Sequence, residues 1–159
     1  MSENVGKIVG ISGNLITVRF EKPVTQSEVG YARTGAIGLK SEVIRIRGEN
    51  AELQVFEDTT GLKVGDPVEF SGNLLTVELG PGLLAQVYDG LQNPLPKLAE
   101  QCGFFLQRGT YLKALDRAKT WDYTPKARKG DEVTAGDTLG TVPEGIFEHR
   151  IMVPFKLAG

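Results

Sequence analysis

The chain is short of several residue types, and each shortage excludes something. Of its 159 residues only Cys102 is a cysteine, so no internal disulfide can form and a reducing compartment is expected. His149 is the only histidine, and neither it nor Cys102 has a partner in sequence that would assign it as a metal ligand or a nucleophile. No apolar run approaches the roughly 20 residues that span a bilayer. The N-terminus, MSENVGKIVG, lacks the charged-then-apolar pattern of a secretory signal. Neither sign of charge dominates. Lys+Arg 18 against Asp+Glu 20 leaves a net charge of -2, which exerts no general pull towards nucleic acid or an anionic membrane. The 40% hydrophobic and 24% charged fractions are those of a globular protein with a real core. A cytosolic protein that docks on something larger is the expectation.

Glycine is what the chain has in plenty: 20, with 8 prolines. Such punctuation favours short strands joined by tight turns. Lys7–Ile11 and Leu15–Phe20 flank the turn signal Ser12-Gly13-Asn14. Ser41–Arg47 and Ala51–Phe56 flank Gly48-Glu49-Asn50, and both alternate. Ile44 and Ile46 alternate with Arg45 and Arg47, while Ala51, Leu53 and Val55 oppose Glu52 and Gln54. Further strands are expected at Gly35–Leu39, Val68–Phe70 and Leu74–Leu79, about six or seven in all, which suits a small closed barrel that leaves no edge. From Pro81 the spacing of Leu83, Leu84, Val87, Tyr88 and Leu91 predicts a helix that ends at Asn93-Pro94-Leu95-Pro96. A second short helix is expected within Leu98–Gly109. Residues 126–142 return to strand, with Gly130-Asp131 and Gly136-Asp137 forming a half-repeat similar to those of lipoyl and biotinyl carrier domains.

Several motifs carry the outline of chemistry. Gly80, Gly82 and Ala85 fit the G-x-G-x-x-(G/A) spacing of a dinucleotide loop. Pro81, however, removes one N–H from that loop, and Pro94 and Pro96 interrupt the path to an acidic residue such as Glu100. A strand-to-helix corner is the better reading. Gly35–Ser41 fails as a phosphate loop because Leu39 separates Gly38 from Lys40. Asp131, Glu132 and Asp137 lie beside glycines, where aspartate favours turns by bonding its own backbone. Lys119, Trp121, Tyr123, Lys126, Arg128 and Lys129 interleave bases with aromatics, but Asp122 among them favours a solvated face over a single-strand binder. No catalytic constellation, metal site or cofactor site is assigned.

An ordered series of short motifs resembles a known family. It runs Ser41–Ile46, Gln54–Leu62, Val77–Leu84, Asp89–Gln92, Gln107–Gly109, Ala114–Arg117, Trp121, Pro125–Ala127 and His149–Pro154. In this order it is similar to the start of the catalytic (A) subunit of the vacuolar/archaeal-type rotary ATPase. Asn93 and Phe155 depart from it: a basic residue and a second proline are usual there. The resemblance implies a mainly β fold with a small N-terminal antiparallel barrel (1–79), a strand-to-helix connector (80–96), and the start of a barrel-sandwich insertion (97–159). It implies a parent that couples ATP synthesis or hydrolysis to ion movement and binds ATP/ADP with Mg. Its nucleotide-binding residues are expected downstream, leaving no cofactor site here and making these residues alone a non-catalytic assembly module. The implied partners are the regulatory (B) subunit and other subunits of the complex, without nucleic acid or membrane insertion. The implied location is cytoplasmic, peripheral to the membrane.

In such a ring, outer barrel strands meet neighbouring subunits. Glu42, Arg45, Arg47, Glu52 and Gln54 are the candidates for an outward polar face. A free-standing β-barrel adaptor is the alternative. A lipoylated or biotinylated carrier is disfavoured because Glu144–Arg150 offers no lysine for attachment. The assembly reading predicts that ATP titrated into the 159-residue chain gives no tight-binding heat; a saturable, tight isotherm would contradict it.

Overall fold

A computed structural model describes residues 4–159. Contacts divide them into two compact units. One takes the chain up to Val77 together with Ala99–Tyr111; the other is Glu78–Leu98 with Leu112–Gly159.

The first unit is a closed barrel. Its strands are β1 (Asn4–Ser12), β2 (Leu15–Arg19), β3 (Glu28–Thr34), β4 (Ile37–Arg47), β5 (Asn50–Val55) and β6 (Pro67–Leu74), in the order β1-β2-β5-β4-β3-β6. All pairings are antiparallel, and β6 closes the ring by pairing with both β1 and β3. Alternate residues point inwards, and Ile8, Ile16, Val18, Leu39, Val43 and Leu53 are among the fully buried side chains. Leu74 ends β6, and the expected strand through Leu79 is not formed.

Strand β3 escapes the alternation rule because its inward residues are small or polar. Gly30 and Ala32 occupy core positions, and a Cβ on Gly30 would stand 3.0 Å from Leu53 Cδ2. Buried Ser41 donates its hydroxyl to the Gly30 carbonyl at 2.9 Å. Glu28, also buried, accepts the N–H of Thr25 through one carboxylate oxygen (2.9 Å) and that of Gly72 through the other (2.8 Å). A hydrophobicity pattern records none of these devices.

Register shifts interrupt the ladder between Ile8 and Gly10, between Glu28 and Gly30, and between Val43 and Arg45. An extra residue bends its strand and raises its twist, which a small barrel needs in order to close. The shift after Val43 corrects the sequence reading of β4. Ile44 is the inserted residue and is 42% exposed, and Ile46 beyond it is 37% exposed. The core residues of β4 are Leu39, Ser41 and Val43 instead.

The predicted helix at Leu83–Leu91 is absent. That stretch is a series of turns, with Ala85 and Gln92 at positive φ (59° and 63°) and Asp89 accepting the N–H groups of Leu91 and Asn93. The helix α1 runs from Leu95 to Cys102, beginning where the prolines were expected to stop one. Pro96 falls in its first turn, where a missing N–H costs nothing, so Pro94-Leu95-Pro96 starts the helix.

The second unit holds a three-stranded sheet, β7 (Thr124–Pro125), β8 (Thr138–Glu144) and β9 (Phe147–Met152), in that order. The two Gly-Asp pairs before β8 are turns of one design. Asp131 accepts the N–H of Arg128, and Asp137 that of Thr134, each at 2.8 Å. Gly130 and Gly136 sit between at φ 100° and 91°, the left-handed position of a type II turn. Lys63–Asp66 in the barrel unit repeats the geometry.

The bulge makes a paired prediction. Leu53→Ala removes a fully buried side chain and lowers unfolding free energy by about 2–5 kcal/mol. Ile44→Ala changes it by no more than about 0.5 kcal/mol. Urea unfolding of both variants measures the difference, and a large loss for Ile44→Ala would return it to the core.

Candidate subunit-contact face

The five residues singled out from the sequence lie on the β4–β5 hairpin. Glu42 is opposite Gln54 in the ladder, Arg45 is opposite Glu52, and Arg47 is opposite Asn50. Strict alternation along β4 would set Glu42 and Arg45 on opposite faces. The inserted Ile44 brings Arg45 back beside Glu52 on the outer face. Glu52 bridges both arginines, at 3.5 Å from Arg45 Nη1 and 3.9 Å from Arg47 Nε. The arginine side chains are 57% and 67% exposed. Exposed pairs of this kind contribute about 0–1 kcal/mol to a fold, so these charges are not what holds the barrel together. Ile44 projects among them, giving the face an apolar element that the sequence reading had placed inside.

The second unit answers the dinucleotide-loop question. Glu144 at the end of β8 is buried, and one carboxylate oxygen accepts the N–H of Gly82 at 2.6 Å and of Leu84 at 3.0 Å. These are the donors a phosphate would need, and a side chain of the same chain already holds them. Gly82 has φ 105° and no helix follows, so the second half of a dinucleotide site is missing as well.

His149, which stood alone in the sequence, contacts the other oxygen of Glu144 through Nδ1 at 3.1 Å. The β8–β9 register sets Val142 against His149, so the signal was a hairpin pairing across Gly145. Burial pushes the Glu144 carboxyl up, but the N–H groups of Leu84 and Gly82 and the His149 ring outweigh it and hold it below its ordinary value. Elsewhere in this unit, Lys119 Nζ lies 4.0 Å from the centre of the Trp121 ring, so the base–aromatic run folds on itself. Among the described residues no group of three or more His, Cys, Asp or Glu is placed to hold a metal ion. No helix among them is long and apolar enough to cross a membrane.

Comparison with known proteins agrees with this geometry. Residues 8–72 match the ATP synthase alpha/beta family, beta-barrel domain. Residues 112–159 match the ATP synthase alpha/beta subunit barrel-sandwich domain. The chain is 65% identical, over its whole length, to the V-type ATP synthase alpha chain of Treponema denticola. The chain belongs to the V-type ATP synthase alpha chain family. It is 56% identical over 157 residues to alpha chain 1 of Treponema pallidum, and 58% identical over 150 residues to the alpha chain of Borrelia hermsii. These matches cover 100%, 99% and 94% of this chain but 27%, 27% and 26% of the respective relatives, so it spans about a quarter of an alpha chain's length. The closed barrel and the β7–β9 sheet are where the two family domains fall.

The Glu144 anchor is testable. Removing its carboxylate in Glu144→Ala strands two backbone donors and costs about 1–3 kcal/mol. The faster exchange expected at the Gly82 and Leu84 amides reads it locally. Because the folded carboxyl titrates below its ordinary 4.5, its contribution is complete above that pH and is lost as pH falls through the lower folded value. Those amides in the unsubstituted chain should therefore lose protection below pH 4.5, beyond the intrinsic pH dependence of exchange, and in Glu144→Ala should show no such step. An identical acid profile in both would remove Glu144 from this role.

Proposed function

We propose that these residues are the N-terminal assembly region of the catalytic subunit of a V/A-type ATP synthase/ATPase, whose parent couples ATP synthesis or hydrolysis to ion translocation. The identity of 65% over all 159 residues to one V-type ATP synthase alpha chain, and of 56% over 157 residues to another, carries this reading. In it, the barrel joins neighbouring subunits, the regulatory (B) subunit among them, into a ring. ATP or ADP with Mg is bound by parts of the parent other than these residues. The complex sits at the cytoplasmic side of a membrane, with this region peripheral to it.

The physics of the barrel suits such a collar. A closed ladder has no free edge to pair with a stray strand, so contacts between neighbours must be made by side chains. The face carrying Glu42, Arg45, Arg47, Glu52 and Gln54 offers charges that the fold itself does not need. Charged rims give register and discrimination between partners more than raw affinity.

Reversing charge on this face, with Arg45→Glu, Arg47→Glu and Glu52→Lys together, places like charges against a partner selected for the opposite sign. Each such juxtaposition costs several kcal/mol, so association weakens by at least about tenfold. Native mass spectrometry of the alpha chain mixed with its partner subunits reads the loss, while the chain's own thermal unfolding should stay unchanged. Intact ring assembly would exclude this face as the contact.

A further inference from the structure

Within the barrel unit, Ala99–Tyr111 leaves the end of a helix, is bare in the middle and is tied to the barrel at its C-terminal end. Gly103 terminates α1, donating its N–H to the Ala99 carbonyl at 2.8 Å. At the other end, Arg108 Nη1 donates to the carbonyls of Asp58 and Thr60. The N–H of Gly109 donates to Glu57 Oε2 at 2.8 Å, and the Tyr111 hydroxyl accepts the N–H of Lys40 at 2.7 Å. Gly109 is pressed so close that a Cβ there would stand 2.6 Å from Ile37 Cγ2. Tyr31 packs edge-on to the Tyr111 ring, with centroids 6.3 Å apart.

Between the end of α1 and this anchor stand Phe104, Phe105 and Leu106, with relative exposures of 104%, 85% and 71%. Single exposed apolar residues are ordinary on a folded surface, whereas three consecutive ones including two phenylalanines form a patch. No charged residue falls between Gly103 and Gln107, so the surface that receives them must itself be apolar. With α1 closed by Gly103 just before it and Arg108–Tyr111 tied to the barrel just after it, the tip is restricted in place, which lowers the entropy cost of docking it.

We propose that Phe104, Phe105 and Leu106 form a plug for an apolar socket on the remainder of the same alpha chain, the part that these residues do not cover. Size decides between this occupant and a separate subunit. Two phenylalanines of about 150–250 Å² each, with one leucine, fall well short of the roughly 1,200–2,000 Å² of a stable interface between proteins. A contact within one chain needs less area, because the tether supplies a high effective concentration. The larger part of the relatives lies outside the matched 27%, which provides the chain to form the socket. The inference rests on the proposal that these residues belong to a longer alpha chain, and does not depend on which barrel face meets a neighbour.

Hydroxyl-radical footprinting tests it on three samples: the 159-residue chain, a full-length alpha chain carrying these residues expressed alone, and the complex assembled from it. Phe104 and Phe105 should oxidise readily in the first and be protected already in the second. Oxidation in the lone full-length chain equal to that in the short one overturns the proposal, and so does protection that appears only on assembly. Phe105→Ser supplies an independent readout. It should leave the unfolding midpoint of the short chain unchanged and lower that of the full-length chain, whereas equal shifts would make Phe105 a support of the barrel unit. Failure of the ring reading would show separately, in the assembly of charge-reversed chains, and leave these outcomes interpretable.

Discussion

Closing six short strands into a ring is the constraint on which the barrel unit depends. Each strand must coil more tightly than an open sheet requires, and the register shifts in β1, β3 and β4 supply that bending. The same shifts decide which side chains face out. In β4 a single inserted residue turns Ile44 outwards and returns Arg45 to the side of Glu52. The device that closes the core therefore also composes the outer face. Small inward residues serve the same end, since Gly30 and Ala32 leave room for Leu53 and Val68 where the wall curves.

The second unit relies on polar anchoring where the barrel relies on apolar burial. Its turn at Pro81–Gln86 lacks a helix and is held by one buried carboxylate that bonds two backbone donors and a ring nitrogen. Three partners compensate Glu144 for losing water. Turns of the Lys63–Asp66 type, closed by an aspartate on the N–H three residues before it, recur in both units and explain why Gly-Asp is so frequent here. Aspartate in these turns therefore works on the chain's own backbone.

Much of the barrel was legible from residues alone, because β1, β2, β5 and β6 show the period-two pattern that half-buried strands impose. Strand β3 was not legible, since glycine, alanine and a buried glutamate stand where large apolar side chains signal a core. Of the two helices expected, the second overlaps α1, while the first does not form, for a physical reason. Leu83 to Leu91 have helical spacing, but Gly82 and Ala85 adopt left-handed backbone conformations and Asp89 bonds its local backbone, and these local choices outweigh the pattern. The candidate face was named from its residue types, but the inserted residue that lets all five share a side was not legible. Alternation alone would have divided Glu42 from Arg45.

Composition, periodicity and ordered motifs are local properties of the chain, and they sufficed for a β-rich core without disulfides, for the turns of the barrel hairpins, and for the family resemblance. Folding in three dimensions was needed to show that Glu144 fills the glycine turn, that His149 meets Glu144, that Ile44 faces solvent, and that Ala99–Tyr111 belongs with the barrel. Each of these depends on registers and contacts between segments distant in sequence, which no single stretch of the chain records.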